Sequence, residues 1–214
     1  MKKTVFTLIF ILTLMVPTLS ASGHVPEIVD NERDFTAEPV LVTNPEISKA
    51  YYGRLMGSPH RYKIVSDEPF NLYVSLLVPY IGQAESSDLE FHIMKDGEKI
   101  VMMHGFDDWE KWYEQFGGDW YLQGPVYESE APPGTYIIEV HSKTNSEDYS
   151  LAIGRIERFG LLDTVKVVFL IPIIKALYWG NYVNLVFYGV VALVLVWWLR
   201  RRRLKRLEST RTVP

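Results

Sequence analysis

The stretch from residue 106 to residue 121 carries seven aromatic side chains among several carboxylates, and both residue types can do chemistry. Aromatic rings provide apolar contact area for a protein partner and flat faces for stacking. Three interpretations are open: a lid over one end of a β-sandwich, a surface for a partner, and a platform for a glycan. The binding residues predicted from this stretch are Trp109, Trp112, Tyr113, Phe116, Trp120 and Tyr121.

The spacing of the first four of these rings is i, i+3, i+4 and i+7, which is typical of one helix face. Asp107 and Glu110 resemble a capping box, and glycines at 117 and 118 favour a helix end. The pattern predicts a short helix over residues 108–116. Because isolated helices shorter than about 12 residues are marginal in water, this helix needs its aromatic face covered.

The carboxylates of Asp107, Asp108 and Asp119 are oxygen ligands of the kind that calcium prefers. Their spacing is not that of an EF-hand loop. A pair such as Asp107 and Asp119 also resembles the two carboxylates of a glycosidase. We predict no cofactor, with calcium bound by these three residues as the alternative.

Other catalytic signals are lacking in the sequence, which has no cysteine and no nucleophile-elbow, zinc-protease or phosphate-loop motif. The five histidines show no close metal-binding spacing. His92 and His141 have the outward parity of their predicted strands, so we expect them on the solvated surface. The sequence therefore predicts a protein that is not an enzyme, with a carbohydrate-active protein as an alternative.

Alternating apolar residues indicate the strands that must position these groups. The run from Phe70 to Val78 alternates with period two between Pro69 and Pro79. Asp96-Gly97 between two apolar runs predicts a hairpin. The last two runs, 132–142 and 147–154, are expected to form a pair, and the polar segment 22–48 to be a spacer or an edge segment.

These patterns predict an all-β fold, an antiparallel β-sandwich or jelly roll over residues 49–158 with the short aromatic helix inserted. An apolar juxtamembrane segment follows at 159–175. We expect it to lie as an interfacial helix on the membrane, with docking on a partner and a simple linker as alternatives.

The runs AYYGRLMGSPHRYKI, FNLYVSLLVP and GTYIIEVHSKTNSEDYSLAIG resemble the bacterial pre-peptidase C-terminal domain. That resemblance covers about residues 50–154. It implies a small jelly-roll sandwich of the kind appended to secreted enzymes as a non-catalytic module. The aromatic insert and the membrane anchor depart from that pattern.

Both ends of the chain carry targeting signals. A basic start, an apolar run and a small-residue exit predict a signal peptide over residues 1–21. Residues 176–199 contain no charge and are long enough for one membrane helix. Residues 200–214 form a basic tail that predicts a cytoplasmic C-terminus. The predicted membrane anchors are Tyr178, Trp179, Trp197, Trp198, Arg200, Arg201, Arg202 and Arg203.

Charge is divided unequally along the chain. Residues 23–159 contain 24 acidic and 11 basic residues, whereas residues 200–214 contain seven basic residues and one glutamate. An acidic exterior disfavours nucleic acid as a partner, because phosphates repel it. The expected partners are the bilayer and a membrane protein, with a glycan as an alternative. The predicted function is a single-pass module of the cell membrane that binds or organises a partner outside the cytoplasm, or an accessory subunit of a membrane complex.

Overall fold

The computed structural model describes residues 24–82, 86–104, 109–114, 118–158 and 160–211. Within these residues, eleven strands are followed by two helices. The strands are β1 (Val25–Ile28), β2 (Val40–Leu41), β3 (Lys49–Arg54), β4 (His60–Ser66), β5 (Phe70–Pro79), β6 (Glu90–Lys95), β7 (Glu98–Met103), β8 (Glu110–Glu114), β9 (Asp119–Ala131), β10 (Gly134–His141) and β11 (Asp148–Ile153). The helices are α1 (Leu161–Trp179) and α2 (Val183–Arg211).

Two sheets pack face to face, as the sequence predicted. Sheet A has the order β1-β3-β11-β5-β9-β8, and sheet B has the order β2-β4-β10-β6-β7. The sheets are mixed rather than purely antiparallel, because β1 pairs in parallel with β3 and β2 in parallel with β4. The polar N-terminal segment thus supplies one edge strand to each sheet.

The core between the sheets is built from the inward positions of the alternating strands. Val74 and Leu76 of β5 face Phe91 of β6 and Ile138 of β10, and all four side chains are fully buried. Each such side chain contributes about 1.5–3 kcal/mol when it is removed from water. The period-two patterns therefore identified the inward faces correctly.

The hairpin predicted at Asp96-Gly97 joins β6 to β7. Both residues have positive φ, 49° for Asp96 and 90° for Gly97. A two-residue turn of this kind needs positive φ at both positions, which asparagine, aspartate and glycine tolerate best. The hairpin prediction is confirmed.

The predicted pairing of the last two strands is wrong. β10 lies in sheet B between β4 and β6, whereas β11 lies in sheet A between β3 and β5. The connection over residues 142–147 therefore crosses from one sheet to the other. Alternation shows which face of a strand is buried but not which sheet the strand joins, because both sheets present the same kind of inner face.

The prediction of a short aromatic helix is also wrong. Within the described residues, Glu110–Glu114 forms strand β8 at the edge of sheet A. Trp112 lies opposite Tyr121, and Tyr113 lies opposite Trp120. Strand β9 offers a backbone partner for the whole segment, while a helix of this length is marginal alone. Phe116, Asp107 and Asp108 lie outside the described residues.

Helix α1 packs on the outer face of sheet A and ends at Gly180, whose φ of 62° is left-handed. The candidate membrane span is Val183–Arg203 in α2. This span begins seven residues after the boundary predicted at residue 176, which stays a prediction. Tyr178 and Trp179, expected at the membrane surface, lie instead against the sheet.

The other predicted anchors lie together on α2. The guanidinium of Arg202 lies 3.7 Å from the ring centroid of Trp198, and that of Arg201 lies 5.2 Å from the ring of Trp197. Arg200 and Arg203 are neighbours on the same helix. Within the described residues, one helix is long and apolar enough to cross a membrane, and aromatic and basic residues lie at its C-terminal end.

Candidate functional site

The predicted binding residues occupy the β8 edge of sheet A, where they divide between two faces of the sheet. Alternation along β8 places Trp112 on the side of Tyr121 and Tyr113 on the side of Trp120. We call Trp112, Tyr113 and Trp120 the aromatic edge. Their exposed fractions are 37%, 43% and 46%, whereas Tyr121 is 3% exposed. The structure thus separates one buried ring from three that contact solvent.

Trp109 belongs to the packing of the sandwich rather than to the aromatic edge. Its ring covers Gly124 so closely that a Cβ at that position would lie 2.5 Å from the indole. The indole N–H donates to the carbonyl of Ser87 at 2.8 Å. Trp109 is half-buried against the main core. It therefore contributes to the lid that one interpretation expected of the whole aromatic stretch.

A cation completes the aromatic edge on the Trp120 side. Lys111 Nζ lies 4.1 Å from the ring centroid of Tyr80 and 4.6 Å from that of Trp120. The Tyr113 and Trp120 rings are 4.9 Å apart. Ammonium groups are attracted to aromatic faces by roughly 0.5–1 kcal/mol at exposed sites. The result is a partly exposed platform formed by the rings of Tyr80, Tyr113 and Trp120 and the positive charge of Lys111.

Asp119, predicted as a calcium ligand, forms an ion pair with Lys175 of α1 at 3.0 Å. Both side chains are largely buried, with exposed fractions of 14% and 11%. The Asp119 carboxylate therefore links β9 to α1. Its two predicted companions, Asp107 and Asp108, are outside the described residues.

Tyrosine hydroxyls join α1 to the outer face of sheet A. The Tyr178 hydroxyl donates to the carbonyl of Tyr52 at 2.9 Å, and the hydroxyls of Tyr52 and Tyr121 are 2.9 Å apart. Burial raises the pKa of Tyr52 to about 12, so this contact is neutral at physiological pH. Trp179 packs edge-on against Tyr121 at 5.0 Å.

Ion pairs and apolar contacts extend this helix–sheet interface along α1. Lys166 Nζ contacts Glu27 of β1 at 2.5 Å. Arg54 pairs with Asp148 at 2.6 Å and also donates to the carbonyl of Leu177. Between these ends, the fully covered side chains are Ala50, Tyr52, Leu77, Tyr121, Ala152, Ile174 and Tyr178. The juxtamembrane segment is therefore a structural part of the sandwich.

The opposite side of α1 remains apolar and exposed. Phe169 is 69% exposed, Val165 is 54% exposed and Leu177 is 53% exposed. With Val168 and Ile173, these positions form a stripe along the helix. One helix thus presents one apolar side to the sheet and another away from it.

A cluster that the sequence analysis missed lies on the outer face of sheet B. We call Glu90, His92, His104 and His141 the histidine cluster. His141 Nε2 lies 3.2 Å from His92 Nδ1, and His104 Nδ1 lies 2.5 Å from Glu90 Oε2. Burial, together with the neighbouring His141 and Lys99, lowers the pKa of His92. The outward parity of His92 and His141 was predicted correctly, but His92 is 7% exposed rather than solvated.

Comparison with known proteins is informative at the level of solved structures only. No protein-family model matches the chain, and no curated protein matches it in sequence. The pre-peptidase C-terminal domain of a collagenase from Bacillus anthracis is similar, with a TM-score of 0.35 and 15% identity over 55% of this chain and 93% of that chain. The family membership inferred from the sequence therefore stays a prediction.

Two carbohydrate-active proteins have similar regions. A β-glucosidase from Paenibacillus barengoltzii matches with a TM-score of 0.30 and 12% identity over 60% of this chain and 13% of that chain. The catalytic domain of a GH87 α-1,3-glucanase, in complex with nigerose, matches with a TM-score of 0.27 and 12% identity over 50% of this chain and 22% of that chain. The chain thus spans a small part of each of these two proteins.

Proposed function

We propose that this chain is a membrane-anchored, non-catalytic β-sandwich module that binds a protein partner at the extracytoplasmic face of the membrane. The observation that carries the proposal is the rigid attachment of α1 to sheet A. Only Gly180, Asn181 and Tyr182 separate α1 from the candidate membrane helix. A sandwich held this way stays close to the bilayer and cannot sample the distances that a flexible linker allows.

The short connection itself is ordered. Gly180 and Asn181 both donate their backbone N–H groups to the carbonyl of Lys175 near the C-terminal end of α1. The Asn181 side chain then accepts from the N–H of Val183 at the start of α2. These contacts satisfy backbone groups at both helix ends. They favour a defined angle between the sandwich and the membrane.

The exposed stripe on α1 supports contact with lipid. Its apolar side chains begin close to the point where α2 enters the bilayer and lie opposite the sheet. An apolar helix face next to a membrane helix is suited to the boundary between headgroups and acyl chains. We assign Phe169 and its neighbours on the stripe to the outer surface of the bilayer.

The partner is assigned to the aromatic edge. Among the described residues, strand β8 is the last strand of sheet A, so one side of its backbone has no neighbouring strand in that sheet order. Exposed edges of this kind accept an added strand, and tryptophan and tyrosine are enriched where proteins bind each other. A partner membrane subunit at this edge would meet both the backbone and the three exposed rings.

Protein capture from native membranes tests this assignment. We expect a stoichiometric partner to copurify with the tagged full-length chain and to be lost with the double variant Tyr113→Ala/Trp120→Ala. The matched control is Ile100→Ala/Met102→Ala, two exposed side chains on β7, which is one of the edge strands of sheet B. Loss of the partner with both pairs, or with neither, would contradict a binding site at β8.

Topology requires its own measurement. Protease added outside intact cells should digest the sandwich and spare a tag after Pro214, because the basic tail favours the cytoplasmic side. Digestion of the tag with protection of the sandwich would reverse the proposed orientation.

Lipid contact of α1 can be measured with a Phe169→Trp variant in bilayers that contain brominated lipids. We expect stronger quenching of this tryptophan than of a Val65→Trp control on β4, which is similarly exposed but belongs to sheet B. The native tryptophans contribute equally to both variants. Equal quenching would remove the lipid assignment without affecting the partner assignment.

A glycan is the second candidate ligand, and the exposed faces of Tyr113 and Trp120 favour it. The rings are adjacent, and Lys111 supplies a hydrogen-bond donor beside them. Saturable binding of a defined oligosaccharide to the full-length chain, lost with Trp120→Ala, would establish this ligand. Binding of every oligosaccharide with equal weakness would argue against it.

A further inference from the structure

The histidine cluster lies away from the aromatic edge and from α1, on the outer face of sheet B. Glu90 and His92 are two residues apart on β6 and therefore share a face. His141 on β10 lies directly opposite Glu90 in the sheet register. His104 follows β7, the other neighbour of β6. Three adjacent parts of one sheet thus bring four titratable groups together.

The distances in the histidine cluster are short. His141 Nε2 lies 3.2 Å from His92 Nδ1 and 3.3 Å from its Nε2, and His141 Nδ1 lies 3.3 Å from Glu90 Oε1. One ligand atom each from Glu90, His92 and His141 can be chosen so that all three lie within 4.8 Å of one another. A single cation between these groups would bind one nitrogen lone pair of each imidazole and one carboxylate oxygen.

The donor set is the one that zinc prefers. Imidazole nitrogen and carboxylate oxygen bind zinc at about 2.0–2.2 Å, and tetrahedral geometry then separates neighbouring ligand atoms by about 3.4 Å. The separation of 3.2 Å between His141 Nε2 and His92 Nδ1 is of that size. Glu90 Oε1 lies 3.3 Å from the other ring nitrogen of His141, and a set with one ligand atom per residue lies within 4.8 Å, so the side chains need only a small adjustment to close around the ion. Two histidines and one glutamate are also the protein ligands of known zinc sites that leave a fourth position for water.

The backbone around the cluster is held in place. Strand β6 pairs with β10 on one side and with β7 on the other, so both backbone edges of the strand that carries Glu90 and His92 are bonded. Phe91 and Ile93, between and beyond these residues, are fully buried in the core. Ligands on a rigid sheet lose little freedom when they bind a metal.

We propose that Glu90, His92 and His141 bind one zinc ion or a divalent transition metal of similar ligand preference. His104, bonded to the second oxygen of Glu90, orients that carboxylate from outside the ligand set. The site joins β6 to β10 on the solvent side of sheet B. The site is separate from the aromatic edge. Whether a partner or glycan binds at the aromatic edge therefore does not affect the test of metal binding.

A metal here would act as a cross-link in a chain that has no cysteine. Metal that binds only the folded form stabilises the fold by mass action. The cross-link would join β6 to β10, two neighbouring inner strands of sheet B, on the outer face of that sheet.

The test uses the full-length chain in detergent, purified without a polyhistidine tag, stripped with chelator and titrated with zinc chloride. We expect one equivalent to bind and the melting temperature to rise. His92→Ala and His141→Ala should each weaken zinc binding at least 100-fold. His104→Ala should weaken it by about 10–100-fold, as is typical when an outer partner of a ligand is removed. Glu98→Gln on β7, an exposed carboxylate of the same sheet, should change nothing.

A second measurement does not depend on how the variants fold. Zinc should protect His141 of the wild-type chain, whose side chain is partly exposed, from chemical modification by diethyl pyrocarbonate. Absence of saturable zinc binding to the wild-type chain would overturn the proposal. Binding that is retained by the folded double variant His92→Ala/His141→Ala, or that leaves His141 unprotected, would overturn it as well.

Discussion

The outer faces of the two sheets differ sharply, although their inner faces are alike. The outer face of sheet A carries small and aromatic residues, among them Ala50, Tyr52 and Ala152, and α1 covers it. The outer face of sheet B carries charged and titratable residues, such as Arg61 paired with Glu139 and the histidine cluster. One sheet is therefore the middle layer of three, and the other faces solvent.

The difference is visible strand by strand. β11 in sheet A is buried from Tyr149 to Ile153 without a break, whereas β10 in sheet B alternates between buried and half-exposed positions. Strands covered on both faces are expected to be apolar throughout, and strands with one wet face alternate. Loss of alternation in β11 and in the second half of β5 therefore marks the strands beneath α1.

The largest expected effect compares an inner with an outer position of β5. Val74→Asp places a carboxylate in the core, where Val74 is fully buried, and an unpaired buried charge costs at least about 4 kcal/mol. Tyr73→Ser, on the half-buried outer side, should cost less. Thermal melts of both variants measure the difference. Equal, small effects would mean that the assignment of faces on β5 is incorrect.

The next comparison concerns the two outer faces. Ala152→Glu introduces a charge beneath α1 and should lower the free energy of unfolding by roughly 3 kcal/mol, with faster proteolysis of α1. Ile137→Glu, on the half-exposed outer face of β10, should cost within about 1 kcal/mol. Denaturant melts and limited proteolysis provide the readout. Unchanged protection of α1 in Ala152→Glu would show that the helix does not depend on this face.

Buried His60 should make the fold sensitive to acid. His60 is fully buried on β4, stacked on Phe35 and bonded to the Tyr149 hydroxyl at 2.7 Å. Burial lowers its pKa from 6.5 to about 4. As the pH falls below 6.5, His60 binds a proton in the unfolded chain but not in the folded chain. Stability is thus complete above pH 6.5 and decreases towards pH 4, by up to about 3 kcal/mol.

Denaturant melts between pH 7 and pH 4 measure this loss. His60→Phe, which keeps the stacking but cannot bind a proton, should remove about one proton from the pH dependence of unfolding. An unchanged slope in His60→Phe would assign the acid sensitivity to other groups, such as His24, whose pKa burial also lowers to about 4.

The smallest effect contrasts a buried with an exposed ion pair. Asp119→Asn leaves the largely buried ammonium of Lys175 without its charge partner and should cost about 2 kcal/mol. Asp148→Asn breaks the more exposed pair with Arg54 and should cost within about 1 kcal/mol. Thermal melts in low and high salt compare the costs of the two substitutions. Only the cost of Asp148→Asn should depend clearly on salt. Equal costs would mean that α1 gives Asp119 no special protection from solvent.

Local patterns predicted much of the fold. The strands over residues 60–66, 70–79 and 90–103, and the Asp96-Gly97 turn between β6 and β7, follow from alternation and turn chemistry. The structure of the aromatic stretch did not follow from its local pattern. Aromatic residues at those four positions are compatible with one face of a helix and also with an edge strand. Strand β9 decided between them by offering backbone partners from Asp119 to Gln123.

The candidate sites were predictable to different degrees. The sequence named Trp112, Tyr113 and Trp120 among six aromatic candidates, but it did not separate these exposed rings from Tyr121, which is buried. The histidine cluster could not, since His92 and His141 are separated by 49 positions and meet only through the pairing of β6 with β10. Parity predicted the correct face for each histidine. The neighbour of each histidine on the adjacent strand can be identified only when the register between the strands is known.

The sequence by itself determined the inward positions of the alternating strands, the hairpin at residues 96–97 and an apolar helix near the C-terminus followed by arginines. These features depend on period, turn residues and length, which are local properties of the chain. Only the tertiary structure decided which sheet each strand joins, that the segment Leu161–Trp179 covers sheet A, and that Tyr178 faces protein. Those choices depend on contacts between residues far apart in sequence, where several partners of similar hydrophobicity compete and packing selects one.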